Sequence, residues 1–359
     1  MVKRIGKIDK AFGIELSDSS IKIISFALKG KKYKLIGSSI KRLRPGLIVD
    51  GEIRNEEKVL ESLDNAYRNT KPKKINDNFI ISALPENKTF VRIIEIPTMS
   101  VKEINKAIKW EAEKYIPMPV NKSYIDWQII SKNSKKIKIL LAVAPKNLVS
   151  SYLKLFEEAG FKTVALELEV AAQARSLIPS KDKEEKHLIV DIGTRRTIFS
   201  IFENEVLHFS SSTPEISGNY FTAVIAKEMG LKKEEAEKVK IKCCSATLTK
   251  EERKLLKSIQ PAYDKLALEI EKIIRYYRRH NKITKSKFKI ILCGGGAGAH
   301  GMDSYLSLKL RQKVVVGNPW TNINLKKDID FKNKKSLIFA KAIGLAMRGV
   351  KYKEYMGHD

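Results

Sequence analysis

A chain of 359 residues exceeds what one compact core of ordinary size holds, so two lobes are expected. At 43% hydrophobic and 8% aromatic residues it reads as a soluble globular protein, and no uninterrupted apolar run approaches the length of a membrane-spanning helix. The 69 Lys and Arg outnumber 41 Asp and Glu to give +28, but the lysines spread along the whole chain with few interleaved aromatics. This charge reads first as a solvated lysine-rich surface and second as weak attachment beneath an anionic bilayer; specific nucleic-acid binding is not expected. The N-terminal stretch, MVKRIGKIDKAFGI, lacks the apolar segment of a signal peptide and points to the cytoplasm. Of the three cysteines, the adjacent Cys243 and Cys244 cannot pair with each other in the ordinary way or make metal-ligand spacing with Cys293. Neither redox nor zinc chemistry is therefore expected.

Taken in chain order, Ala11 to Phe26 (AFGIELSDSSIKIISF) alternates as a strand, a polar turn and a second strand. The turn offers Glu15 and the hydroxyls of Ser17, Ser19 and Ser20, and Lys22 begins the return strand. Hydroxyls and a lysine beside a carboxylate suit a phosphate and a hydrated metal, although an unliganded hairpin has the same pattern. Helical spacing through Val59, Leu60, Leu63 and Ala66 predicts a helix over Glu56 to Tyr67, followed by strands over Asn78 to Ala83 and Glu86 to Pro97. Ser100 then caps a helix, with Glu103 completing a capping box, that runs to about Tyr115 and stops at Pro117 and Pro119. Its aromatics Trp110 and Tyr115 are read as core, with one wall of a peptide groove as the other reading. Strands over Tyr124 to Ile130 and Ile137 to Ala144, and a helix over Lys146 to Ala159 closed by Gly160, complete the stretch. Residues 81 to 164 thus read as a compact β-α-β-β-α unit with its own small core.

Val164 to Leu168 returns to a strand, and Glu169 opens the helix after it. His187 to Glu203 (HLIVDIGTRRTIFSIFE) is a second acidic hairpin, in which Asp191 leaves a buried strand and Gly193 and hydroxyl side chains follow. Such a turn can hold a hydrated divalent cation while its N–H groups face a phosphate. One acidic hairpin is an ordinary turn; two, half a chain apart, suggest a nucleotide gripped between lobes. Pro214 to Lys242 reads as helix broken at Gly230, and Pro261 to Asn281 as a long amphipathic helix with Leu266, Ile270, Ile273, Ile274 and Tyr277 on one face. Lys289 to His300 (KIILCGGGAGAH) is a strand running into four glycines within five residues, which favours close approach of a ligand. Ser336 to Arg348 is a final apolar helix rich in small residues.

These parts resemble the actin-like and sugar-kinase-like ATPases, whose two phosphate loops, connecting-helix carboxylate and Gly-rich adenosine turn correspond to Glu15 to Lys22, Asp191 to Thr197, Glu169, and Gly294 to Gly298. More narrowly, five stretches are similar to the PilM family of type IV pilus assembly proteins: WEAEKYIPMP (110–119), EEAGFKTVALELEVAAQAR (157–175), IAKEMGLKKEEAEKVK (225–240), CGGGAGAHGMDSYL (293–306) and FAKAIGLAMRG (339–349). The resemblance implies an α/β, two-lobed actin-like ATPase (ribonuclease H-like) fold with the inserted 1C subdomain of that family and of FtsA. On this scheme 1A spans 11–80 and 165–185 with the connecting helix, 1C spans 81–164, 2A spans 186–215 and 261–335, 2B spans 216–260, and a C-terminal helix over 336–359 returns to 1A.

The resemblance also implies ATP and Mg²⁺ as ligands. Glu15 and Asp191 would hold the metal, Asp191 through water. Ser17, Ser19, Ser20, Gly193, Thr194 and Thr197 would cradle phosphate, and Lys22 would neutralise it. Glu237 and Lys240 would touch ribose and base, or else form an ordinary exposed helical pair; Gly294, Gly295 and Gly296 would make the adenosine turn. Glu169 is the one candidate base. The first loop departs from the family's D-I-G-S-x-S: Glu15 is one methylene longer, and Ser17 adds a Cβ where the family keeps backbone bare. Since a misplacement of about 1 Å can cost ~100-fold in rate, binding with little turnover is expected. Arg195 and Arg196 are read as facing solvent, with compensating positive charge near the phosphates as the other reading. The implied partner is the cytoplasmic N-terminal peptide of a PilN-like inner-membrane protein, gripped between 1A and 1C. Pilus motor ATPases and the platform protein are further candidates, the localisation is cytoplasmic and peripheral to the inner membrane, and self-association is left open. The rivals are a working ATPase or small-molecule kinase, and an FtsA-like filament former, for which the polar ending KYKEYMGHD offers no membrane helix.

Overall fold

The computed structural model describes residues 10–30, 32–242, 250–283, 286–299, 301–323 and 334–351. Cys243, Cys244, His300 and the two chain ends lie outside them. Two compact units emerge, one of residues 1–176, 323–327 and 341–359, the other of residues 177–322 and 328–340.

The first unit begins with β1 (Phe12–Ser17), β2 (Ser20–Lys29) and β3 (Lys32–Arg42), then the short β4 (Ile48–Val49) and β5 (Glu52–Ile53), α1 (Glu56–Arg68), β6 (Lys71–Pro72) and β7 (Phe79–Leu84). It continues with β8 (Phe90–Pro97), α2 (Val101–Glu113), β9 (Ser123–Lys132), β10 (Lys136–Pro145), α3 (Lys146–Glu158), β11 (Lys162–Leu168) and α4 (Glu169–Leu177). Six strands form one sheet in the order β11-β7-β1-β2-β3-β6. Its central strands read as continuous apolar runs because both faces are covered. On one face Val59 and Leu63 of α1 and Leu148, Tyr152, Leu155 and Phe156 of α3 pack on Phe12, Ile14, Ile21, Ile23 and Ile80. On the other, Ala172 of α4 meets Ala11, Ile81 and Ala83 together with Leu345 from near the C-terminus.

A separate sheet, β8-β10-β9, closes a second core with Ile104, Ile108 and Ala112 of α2 against Ile94, Ile96, Ile137, Ile139 and Leu141. This small core draws on residues 90–143, while α3 turns its apolar face to the larger sheet. The Ser100 and Glu103 capping box is present. Trp110, expected in the core, is 74% exposed, whereas Tyr115 packs at the edge of the small core and lies under the Arg92 guanidinium at 5.2 Å.

The second unit contains β12 (His187–Ile192), β13 (Thr197–Glu203), β14 (Val206–Thr213), α5 (Gly218–Met229), α6 (Lys233–Lys242), α7 (Lys250–His280), β15 (Lys289–Cys293), α8 (Met302–Leu310) and β16 (Lys313–Val316). Its sheet runs β14-β13-β12-β15-β16, with β12, β15 and β16 parallel. Leu266, Ile270, Ile273, Ile274 and Tyr277 of α7 are buried, as their spacing predicts. The helix starts at Lys250, so Pro261 sits inside it and not at its first turn. The division between units falls at residues 176 and 177. The backbone after α4 is held within the second unit, where Asn322 Nδ2 donates to Ile178 O at 2.7 Å and Ser180 N donates to Asn322 Oδ1 at 2.9 Å.

The last helix, α9 (Ala340–Val350), joins the first unit from Lys341 onward. A Cβ at Gly344 would overlap Ala172 O, one at Gly349 would overlap Ala11 O, and one at Gly13 would lie 2.6 Å from Ala342 O. Backbone thus lies on backbone, which only glycine permits. Beside this contact the buried Glu167 carboxylate of β11 accepts from Arg175 Nη1 and Nη2 at 2.8 and 2.9 Å and from Arg348 Nη1 at 2.6 Å. Burial alone would raise the Glu167 pKa; the two guanidiniums outweigh it and hold it below the usual value.

Two outcomes follow. Gly344→Ala is expected to cost roughly 1–3 kcal/mol in denaturant unfolding, since neither backbone can give way. Because the Glu167 pKa is depressed in the folded state, its stabilisation is complete above the ordinary value of 4.5 and fades as pH falls through the lower folded value. Unfolding of Glu167→Gln should therefore show a weaker acid limb than wild type, and lower stability by roughly 3 kcal/mol at pH 7 from the stranded arginines.

Candidate functional site

In the first unit the β1–β2 hairpin sets Glu15 directly across from Lys22, so both side chains share one face. The two are buried and ion-paired, Lys22 Nζ to Glu15 Oε1 at 2.8 Å. Glu15 Oε2 is buried as well and has no hydrogen-bond partner. In the turn, Ser17 Oγ donates to Ser20 O at 2.9 Å and accepts from Ser20 N at 3.2 Å, so Ser17 serves the turn itself. Ser19 lies half-exposed at its tip. Asp18, outside the expected set, accepts from the N–H groups of Asp50 and Gly51, each at 3.0 Å, and anchors the turn to the β4–β5 hairpin.

Glu169 begins α4 with both oxygens engaged. Oε1 accepts from the Glu86 N–H at 2.7 Å, and Oε2 is ion-paired with Lys341 of α9. The sequence contains a signal for this tie. Lys341 and Arg348 are the charges of α9 and stand seven residues apart, hence on one face, and each meets a carboxylate.

In the second unit Asp191 is buried at the C-terminal end of β12, in parallel register with Cys293. That register brings the Gly-rich turn against it. Gly294 has φ +80°, and a Cβ there would overlap Asp191 Oδ1 and lie 2.7 Å from Ile192 O. A Cβ at Gly296 would overlap Ile192 Cγ2, whereas Gly295 is exposed with no neighbour closer than 3.8 Å. Two of the three glycines are therefore required by the protein's own packing, and Gly295 is the one whose open backbone leaves room for a ligand.

The turn after Asp191 closes through Gly193 N donating to Arg196 O at 2.9 Å. It rests on the start of α5, where Gly218 N donates to Gly193 O at 2.8 Å and Asn219 N to Thr194 O at 2.9 Å. Thr194 is exposed, and Thr197 is fully buried with an unpartnered Oγ1. Arg196 does not simply face solvent, since its Nη1 donates to Ser212 Oγ at 3.3 Å, and Arg195 is half-buried. Glu237 and Lys240 are ion-paired at 2.6 Å, and Lys240 Nζ also donates to Gly218 O at 2.9 Å and Thr222 Oγ1 at 2.8 Å. The pair is therefore no plain surface contact: it ties α6 to the α5 end that supports the Asp191 turn. Gly218 and Thr222 escaped the sequence reading, because neither belongs to a motif with recognisable chemistry.

A profile of the family described as type IV pilus assembly protein PilM matches residues 13–350. The chain belongs to that family. Among solved structures, a chain of the PilM-PilN type IV pilus biogenesis complex is similar over 96% of this chain and 99% of its own, with 23% identity and TM-score 0.81. Ethanolamine utilization protein EutJ from Carboxydothermus hydrogenoformans is similar over 94% of this chain and 89% of its own, with 14% identity and TM-score 0.56. MreB5 of Spiroplasma citri bound to AMPPNP is similar over 96% of this chain and 98% of its own, with 13% identity and TM-score 0.55. The fold is that of the actin-like ATPases. Among the described residues no helix is long and apolar enough to cross a membrane.

The Glu169–Lys341 pair is the sharpest test of local chemistry. Lys341→Met would leave a largely buried carboxylate without its cation and is expected to lower stability by roughly 3 kcal/mol. Adding Glu169→Gln should recover a large part of that loss, a coupling read from a double-mutant cycle in urea.

Proposed function

We propose that this member of the PilM family is a nucleotide-responsive scaffold of a type IV pilus assembly platform. It binds ATP with Mg²⁺ and, on the cytoplasmic side, the N-terminal peptide of a PilN-like inner-membrane protein, which makes it peripheral to that membrane. The observation that carries the nucleotide half is the Asp191 carboxylate lying against the Gly294 backbone, where β12 and β15 end side by side. Ligands in α/β sheets gather outside the carboxyl ends of strands, and a carboxylate beside open glycine backbone suits a hydrated cation and a flat base. The peptide half rests on likeness to the PilM-PilN complex.

The residues present fit the magnesium nucleotide. Glu15 keeps one buried oxygen without a partner, and Lys22 beside it carries the compensating charge. A phosphate could take over Lys22 while the cation takes over Glu15, so neither charge is left bare. Either ligand alone would strand one member of the pair, a costly state in a buried site. Gly193 and Thr194 would meet phosphate, Gly295 the adenosine, and Glu237 with Lys240 the ribose side. When bound, Mg²⁺ would neutralise the triphosphate charge. The rest of the proposal is linkage: nucleotide biases the protein toward one conformation, and the partner peptide reads that bias.

A scaffold is favoured over an enzyme because both oxygens of Glu169 are already engaged. Calorimetry tests the reading. ATP should bind wild type with Mg²⁺ and at least tenfold more weakly in EDTA, and Gly294→Ala, which drives a methyl into Asp191, should abolish binding. A peptide copied from the partner's N-terminus should bind with an affinity that changes when ATP is added. No heat from ATP and none from the peptide would overturn the proposal. Steady ATP turnover abolished by Glu169→Gln would favour the enzyme, and nucleotide-dependent sedimentation the filament former.

A further inference from the structure

At the N-terminal end of β12, four residues along the strand from Asp191, a second cluster serves no part of the nucleotide reading. Its members are Asp182, at the end of a short 3₁₀ turn over Ser180–Asp182, Glu185, and His187, the first residue of the strand. One ligand atom from each lies within 4.8 Å of the others. His187 is 1% exposed. Its Nδ1 is 3.0 Å from Glu185 O, and a carbonyl oxygen only accepts, so Nδ1 carries the proton and Nε2 the lone pair. That lone pair is buried and has no hydrogen-bond partner. The atom nearest to it in the cluster is another acceptor, Glu185 Oε2 at 3.9 Å. Two acceptors facing each other with no proton between them call for a cation.

We infer that a divalent transition ion of the zinc class binds here through His187 Nε2 and the carboxylates of Asp182 and Glu185. An imidazole whose other nitrogen donates to a backbone carbonyl has the tautomer and orientation usual for a metal-bound histidine. One nitrogen and two carboxylates suit zinc better than magnesium, which favours oxygen ligands in an octahedral shell. Bonds of about 2.0–2.2 Å require the three donors to draw together, and Glu185, exposed on the surface, is free to swing inward. Lys289 Nζ already pairs with Asp182 Oδ2, so the ion would share Asp182 with an ammonium or displace it. With Lys186 flanking His187, this competing charge sets the expected affinity in the micromolar range and not at the level of a closed structural zinc site. Three protein ligands leave a coordination position for water. The bound ion would fasten the 180–185 turn to β12.

The site is about 13 Å from Asp191 along the strand and does not depend on the nucleotide proposal. The test is calorimetric titration of zinc chloride into the full chain after removal of metals by chelation, with magnesium chloride as the comparison. One zinc per chain is expected, with no displacement by millimolar magnesium and a thermal midpoint that rises on zinc addition. Cobalt should produce visible absorption bands of low-coordinate nitrogen and oxygen ligation. Glu185→Gln, a surface change that spares the fold, and His187→Gln should each weaken zinc at least tenfold and remove the thermal shift. If His187→Gln does not fold, Asp182→Asn takes its place. Absence of saturable zinc binding, or binding unchanged in Glu185→Gln and either companion variant, would overturn the inference.

Discussion

Close approach of backbone to backbone governs both units. In the first, α9 seats only because Gly344 and Gly349 bare their backbones to Ala172 and Ala11, and because Gly13 on β1 does the same toward Ala342. With ordinary side chains there, helix and sheet would stand apart by a side-chain layer, and the Glu167 carboxylate could not reach both Arg175 and Arg348. In the second, Gly294 lets the chain leave β15 directly over the Asp191 carboxylate. Small residues in these positions are geometric requirements more than signs of flexibility.

Burial of charge follows from that closeness. Glu15 with Lys22, Glu167 with two arginines, and Glu169 with Lys341 are carboxylates of the first unit withdrawn from water, each with a cation. Such pairs add little net stability over apolar packing, but they penalise any arrangement in which one partner is lost. They therefore act as register marks. Glu167 fixes β11, α4 and α9 together, and Glu15 with Lys22 fixes the pairing of β1 and β2 at the point where their turn must be held.

The parts of this design that were legible in the sequence are those with a period or a cap. The α7 stripe, the Ser100 capping box, both acidic hairpins and the strand before the glycines stand where spacing and turn chemistry put them. The strands β3, β14 and β16 and the helix α8 were not read. Lys32–Arg42 and Val206–Thr213 mix polar residues into a partly exposed alternation, and α8 has no clear apolar stripe. Trp110 illustrates a different limit. It stands two residues past Ile108, about 200° round the helix and so away from the buried Ile104, Ile108 and Ala112, and an aromatic counted as core without regard to that angle is misplaced. The grouping of Glu169 with Lys341, 172 residues apart, left only a partial trace in the sequence: the shared face of Lys341 and Arg348 on α9 marks the cations but not their carboxylate partners.

That last grouping bears most directly on what the protein does. A carboxylate acts as a base only when a lone pair is free to face the reacting atom. Glu169 has one oxygen on the Glu86 N–H and the other on an ammonium. Freeing it would cost the ion pair and would also release two anchors, since Glu86 leads into the small β8-β10-β9 sheet and Lys341 opens α9. The same connections suit a scaffold. A residue at the head of α4 that touches both the approach to the small sheet and α9 holds the three elements together, whereas a base would have to move independently of them.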